Sequence, residues 1–102
     1  MEELIKKVEQ WAEDKGLIKE ENATRQFIKV SEEVGEVAAA LARDDKSLLE
    51  DGIGDVIVTL IILSKQKGLT FQECLEHAYE EIKDRTGTVK DGILVKDGIS
   101  RK

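Results

Sequence analysis

The chain has 102 residues, with sixteen basic and twenty-two acidic side chains, a formal net charge of −6 and no proline. That length sets one small domain with a modest core, so self-association as a homodimer or homotetramer is expected to supplement it. The acidic balance excludes a nucleic-acid backbone as the expected partner, because that partner calls for a basic surface.

Nucleotides stay open, since a metal can bridge acidic side chains to phosphates. Cys74 is the single cysteine, which rules out an intrachain disulfide and fits a reducing compartment. No signal peptide is visible after Met1. The longest apolar run, Val56 to Leu63 with a break at Thr59, falls far short of the roughly 20 residues that span a bilayer. The expectation is a cytoplasmic protein with no membrane partner.

The periodicity predicts an all-α protein. A first helix runs from about Glu2 to Asp14, with Leu4, Ile5, Val8, Trp11 and Ala12 on its apolar face and Gly16 at its end. A polar connection leads to Asn22, a candidate N-cap. The second helix runs from about Ala23 to Arg43, with Phe27, Val30, Val34, Val37, Ala38 and Leu41 as its inward stripe. After a break at Asp44-Asp45, a third helix runs from about Ser47 to Lys67. Ser47 and Glu50 have capping-box spacing, and Gly68 closes the helix. In the fourth helix, Phe71, Leu75, Ala78 and Ile82 share the inward face. Beyond Arg85, Asp91-Gly92 between Thr88-Val89-Lys90 and Ile93-Leu94-Val95 signals a short hairpin, with a further turn at Asp97-Gly98. Residues 1–85 read as the catalytic helical domain and 86–102 as a hairpin or tail of the same domain.

Two acidic clusters carry the chemistry. Glu32, Glu33 and Glu36 fall within about one 100° arc of the second helix. Asp51 and Asp55 lie about 40° apart on the third helix, which is apolar nearly all round, a pattern of burial. Buried carboxylates are neutralised, paired or coordinated. Oxygens from two facing helices suit Mg²⁺ or Mn²⁺, with water and a substrate phosphate completing the shell. The plainer reading of Glu32, Glu33 and Glu36 is a solvated helix face, and Asp51 with Asp55 tips the balance against it. Gly35, Gly52 and Gly54 each disfavour helix by roughly 1 kcal/mol relative to alanine. Close approach of the two helices, tight packing or a helix break would each account for them.

These residues resemble the MazG-like family of all-α nucleoside triphosphate pyrophosphohydrolases, in its small phage and bacterial type. Glu32-Glu33-Val34-Gly35-Glu36 matches the EExxE half of its signature, and Asp55 matches the aspartate of the following ExxD. The chain departs at Gly52, where the family has an acid, and Asp51 is the substitute one residue earlier. Asn22, Gln26 and Lys29 are similar to the family's asparagine-glutamine-lysine lead-in. Tyr79 to Gly87 is similar to its C-terminal substrate segment.

The resemblance implies a four-helix-bundle-like fold, oligomerisation, and Mg²⁺-dependent cleavage between the α- and β-phosphates to give a monophosphate and pyrophosphate. It implies Glu33, Glu36, Asp51 and Asp55 as metal ligands. Glu32 is a further ligand or the group that orients the attacking water, which sets Glu32 and Glu33 as the catalytic pair. Asn22, Gln26, Lys29, Lys83, Arg85 and Trp11 are the substrate-binding candidates.

Each candidate has a plainer role beside this one. Lys29 can pair with Glu33 at i,i+4, Asn22 can cap its helix, and Lys83 and Arg85 favour a helix C-terminus. Trp11 can pack in the core. His77 and Cys74 read as packed or surface residues. The expected role is nucleotide-pool housecleaning. A related enzyme acting on phosphoribosyl-ATP, or on a deoxynucleotide such as dUTP or dCTP, and a nucleotide- or metal-sensing module without turnover remain alternatives.

Overall fold

The computed structural model describes residues 1–97, so the expected Asp97-Gly98 turn reaches outside the described residues. Four helices follow in order: α1 (Glu2–Asp14), α2 (Ala23–Ala42), α3 (Lys46–Gln66) and α4 (Phe71–Ile82). A 3-10 turn, Glu20–Asn22, precedes α2, and an antiparallel pair, β1 (Gly87–Lys90) and β2 (Ile93–Lys96), follows α4. The fold is therefore mostly helical with a short C-terminal hairpin, as the periodicity and the Asp91-Gly92 turn predict. Among the described residues no helix is long and apolar enough to cross a membrane.

The chain divides into two compact units, Met1–Gln72 and the part from Glu73 onward. In the first, α2 and α3 form an αα-hairpin, with α1 packed on α3. The hairpin turn is set by two residues. Asp44 takes a left-handed conformation at φ 54°, and its N–H donates to the Leu41 carbonyl while Asp45 N–H donates to the Ala40 carbonyl, both at 3.1 Å. This is a Schellman closure with aspartate where glycine is usual. Asp45 then turns extended, and its carboxylate accepts from Leu48 N–H at 3.0 Å, capping α3. The Ser47–Glu50 capping box expected from the sequence is displaced by this cap, because the helix begins at Lys46, ahead of Ser47.

The core consists of Ile5 and Ala12 from α1, Val30 and Ala40 from α2, and Ile61 and Ile62 from α3, with Thr59 and Gln66 buried beside them. Gln66 Nε2 donates to the Leu17 carbonyl at 2.9 Å, and Lys67 Nζ reaches Glu20 at 2.9 Å, which ties the α1–α2 connection to the end of α3. That hydrogen bond and the Lys67 charge hold the Glu20 carboxyl below its ordinary range. Gly16 and Gly68 end α1 and α3 as expected.

Three sequence expectations need correcting. The α2 stripe divides: Val30 is buried and Val37 half-buried, whereas Phe27, Val34 and Leu41 are 50–63% exposed and Ala38 is also exposed. Periodicity finds residues that share a face, but the stripe is wider than the strip that one neighbouring helix covers. Trp11 is 49% exposed, because α1 turns Ile5 and Ala12 to the core instead. No residue of α4 is buried, and Leu75, Ala78 and Ile82 are exposed. A unit of one helix and a two-stranded hairpin supplies no second apolar layer over that stripe.

The hairpin register places Lys90 opposite Ile93, which leaves Asp91-Gly92 as a two-residue turn. Both turn residues have positive φ, 52° and 79°, the type I′ geometry that matches strand twist.

Candidate active site

The α2–α3 hairpin encloses a cleft of about 390 Å³ lined by Lys29, Glu32, Glu33, Glu36, Ala39, Ala40, Arg43, Leu48, Asp51, Gly52 and Asp55. All five acids singled out in the sequence line it. Three come from α2 within little more than one turn, and two from α3 at i,i+4 spacing, so each helix turns its carboxylates to the same opening.

Gly52, where the chain departs from the ExxD pattern, lies where the two helices approach closely. It is buried, and a Cβ built there would lie 3.1 Å from Val37 Cγ2 and 3.6 Å from the Val37 Cα. The two helices meet here through a glycine, and a side chain at this position would require Val37 to give by a few tenths of an ångström. Asp51, one residue earlier, lines the cleft in its place. Gly35 and Gly54 have open space where a Cβ would stand, so the close approach proposed for the glycines applies to Gly52 alone within the chain.

The expectation that Asp51 and Asp55 are buried is overturned: both are exposed. Buried positions of α3 concentrate between Thr59 and Gln66, while the N-terminal half is open except at Gly52. The need to neutralise these carboxylates therefore comes from their neighbours, not from desolvation. The Glu33 side chain is more enclosed than that of Glu32, 16% exposed against 63%. Lys29 compensates both, with Nζ 3.4 Å from Glu33 and 3.7 Å from Glu32. The Glu33 hydrogen bond, followed by the Glu33 and Glu32 charges, holds the Lys29 ammonium above its usual range.

Asn22, Gln26 and Trp11 do not line the cleft. Gln26 Nε2 donates to the Thr59 carbonyl at 3.1 Å, bracing α2 on α3. Asn22 sits at the N-cap position of α2 without a side-chain capping bond. Lys83 pairs with Glu80 at 2.8 Å, and Lys83 and Arg85 both belong to the second unit. Arg43 is a cleft residue that motif reading missed. Helical spacing could have found it: Lys29, Glu36 and Arg43 recur every seven residues, so each lies about 20° from the next around α2.

The donor set fits a hard divalent cation. Five carboxylates on two facing helices supply oxygen ligands only, the chemistry of Mg²⁺ and Mn²⁺ sites. Among the described residues no three His, Cys, Asp or Glu side chains are grouped closely enough to form a ready-made cage for an ion. Mg²⁺ needs no such cage, since it keeps several waters and binds through one or two carboxylates plus substrate phosphates.

The chain belongs to the MazG nucleotide pyrophosphohydrolase domain family, whose model matches residues 23–90 and so takes in α2 and α3. Hydrolysis of nucleotide pyrophosphate bonds is the activity of that family. The chain is also similar to an uncharacterized 18.2 kDa protein in the rep-hol intergenic region of Haemophilus phage HP1 (strain HP1c1), 42% identical over 66 residues. That match covers 65% of this chain and 40% of the phage protein. No solved structure matches the chain.

Proposed function

We propose that the chain is a Mg²⁺-dependent nucleoside triphosphate pyrophosphohydrolase that cleaves the α–β phosphate bond. The observation that carries this reading is the single cleft that gathers Glu32, Glu33, Glu36, Asp51 and Asp55 from two helices of a MazG domain. Glu33, Glu36, Asp51 and Asp55 would hold the cation, which supplies charge neutralisation on the phosphate oxygens and lowers the pKa of bound water. Glu32 orients the attacking water. The water oxygen bonds to the α-phosphorus, the bridging oxygen to the β-phosphorus departs with pyrophosphate, and the water proton leaves to a carboxylate or to solvent. Lys29 keeps the carboxylates from repelling one another before substrate arrives. The experiment is a panel of ribo- and deoxyribonucleoside triphosphates with Mg²⁺ or with chelator. Monophosphate and pyrophosphate formed only with Mg²⁺ support the reading and rank the bases; saturable nucleotide binding without turnover points to the sensing module instead.

Cation binding has a thermal signature. Because Asp55 is exposed, Asp55→Asn should change stability without metal by only about 0.5 kcal/mol in either direction. Added Mg²⁺ stabilises the wild type by an amount that grows with its occupancy, about 2.7 kcal/mol at a hundredfold excess over Kd. Asp55→Asn should lose most of that rise. An equal Mg²⁺-induced Tm shift in both proteins would remove Asp55 from the ligand set.

A homo-oligomer belongs to the same reading. Phe27, Val34 and Leu41 recur every seven residues and are 58%, 50% and 63% exposed among the described residues, a seam of coiled-coil spacing. Phe27 lies about 160° around α2 from Lys29, so a second copy can cover the seam and leave the cleft open. Val34→Glu should shift light-scattering mass from oligomer toward monomer at micromolar concentration. A monomeric wild type, or an unchanged mass in the variant, counts against this seam.

A further inference from the structure

We propose that Arg43 is a substrate-binding residue that holds the pyrophosphate end of the triphosphate; the proposal deepens the pyrophosphohydrolase reading and rests on it. Arg43 lines the same cleft as the five carboxylates. Among the described residues it makes no ion pair, whereas the other cleft cation, Lys29, is already engaged with Glu32 and Glu33. A guanidinium beside five carboxylates that leaves all of them alone is available to an incoming anion.

Its position selects which part of the anion. Arg43 is the C-cap residue of α2 and still has helical backbone angles. It stands seven residues beyond Glu36 on nearly the same stripe, roughly 10 Å further along the axis. Side chains on a helix lean toward its N-terminus, which favours an arginine at this position reaching back along the turn of Ala39 and Ala40 toward the acids. Those two small side chains also line the cleft. A phosphate held among Glu33, Glu36 and Asp55 therefore has the next phosphates of the chain within reach of Arg43. The planar fork of arginine binds two phosphate oxygens at once, which lysine cannot do.

The test compares wild type, Arg43→Ala and Arg43→Lys in steady-state kinetics with Mg²⁺ and the best triphosphate, with inhibition by pyrophosphate and by the nucleoside monophosphate. Arg43→Ala should raise KM about tenfold or more and weaken pyrophosphate inhibition by a similar factor, since charge-assisted bidentate contacts are the strong ones. Monophosphate inhibition should stay within twofold of wild type, and Arg43→Lys should recover only part of the loss. KM and pyrophosphate inhibition both within twofold of wild type would overturn the proposal. Equal weakening of both inhibitors would overturn the assignment to the pyrophosphate end. If the wild type turns over no triphosphate, the activity reading fails separately, and calorimetric titration with Mg²⁺ and pyrophosphate decides Arg43. Binding by wild type that Arg43→Ala loses supports the contact; no binding by wild type, or equal binding by both, overturns it.

Discussion

Replacing Glu36 with glutamine should lower turnover by about 100-fold or more while leaving the helical fold intact. Glu36 is exposed and lies in the cleft between the other carboxylates, so its removal disturbs no core contact. Glutamine keeps the shape but offers a neutral amide oxygen where a divalent cation needs an anionic one. Loss of a group that only orients a ligand already lowers metal affinity or activity by roughly 10–100-fold. A direct ligand should exceed that, and raised Mg²⁺ should restore part of the rate if weakened metal binding is the cause. Kinetics across a Mg²⁺ titration, with circular dichroism to verify the fold, measure this. Near-normal turnover in the folded variant would take Glu36 out of the metal shell.

The second large effect is on stability. Gly52→Val should destabilise the chain by about 1–3 kcal/mol, because it forces a branched side chain into the place where α3 meets Val37. A domain of this size has only about 5–15 kcal/mol in total, and each kcal/mol shifts Tm by roughly 4–8 °C. The melting temperature should therefore fall by about 10 °C. Gly54→Ala is the control. It stands two residues away with open space at its Cβ, so the helix propensity of alanine should raise stability by up to about 1 kcal/mol. Opposite signs for the two variants would show that the close approach is specific to Gly52. A Gly52→Val protein as stable as wild type would mean that α2 and α3 are not packed as described.

Local signals in the sequence were legible where they are self-contained. The α1 limits, Glu2 and Asp14, follow from its own periodicity and its terminal glycine, and Asp91-Gly92 dictates its hairpin because the turn requires two positive φ values. The five acids were legible as a set because helical spacing alone puts each group on one face. What neighbours decide was not legible. Periodicity placed Phe27, Val30, Val34, Val37 and Leu41 on one stripe, yet only the packing of α3 determines that Val30 is buried and Leu41 exposed. An almost wholly apolar α3 read as buried, but its N-terminal half is open because burial there is limited to Gly52. Gln26 read as a substrate contact through its resemblance to the family's lead-in, and its brace on the Thr59 carbonyl, 33 residues away, was not legible in the sequence. Arg43 went unread for a different reason: it lies outside the motif, although its heptad spacing from Glu36 was already visible.

The central claim is attack of water on the α-phosphorus, and hydrolysis in ¹⁸O-labelled water tests it most directly. The reaction should run with Mg²⁺ and one triphosphate from the panel, with the phosphorus position of the label read by mass spectrometry. The account predicts one ¹⁸O in the nucleoside monophosphate and none in the pyrophosphate. Label in the pyrophosphate, or nucleoside diphosphate and orthophosphate as the products, would contradict it.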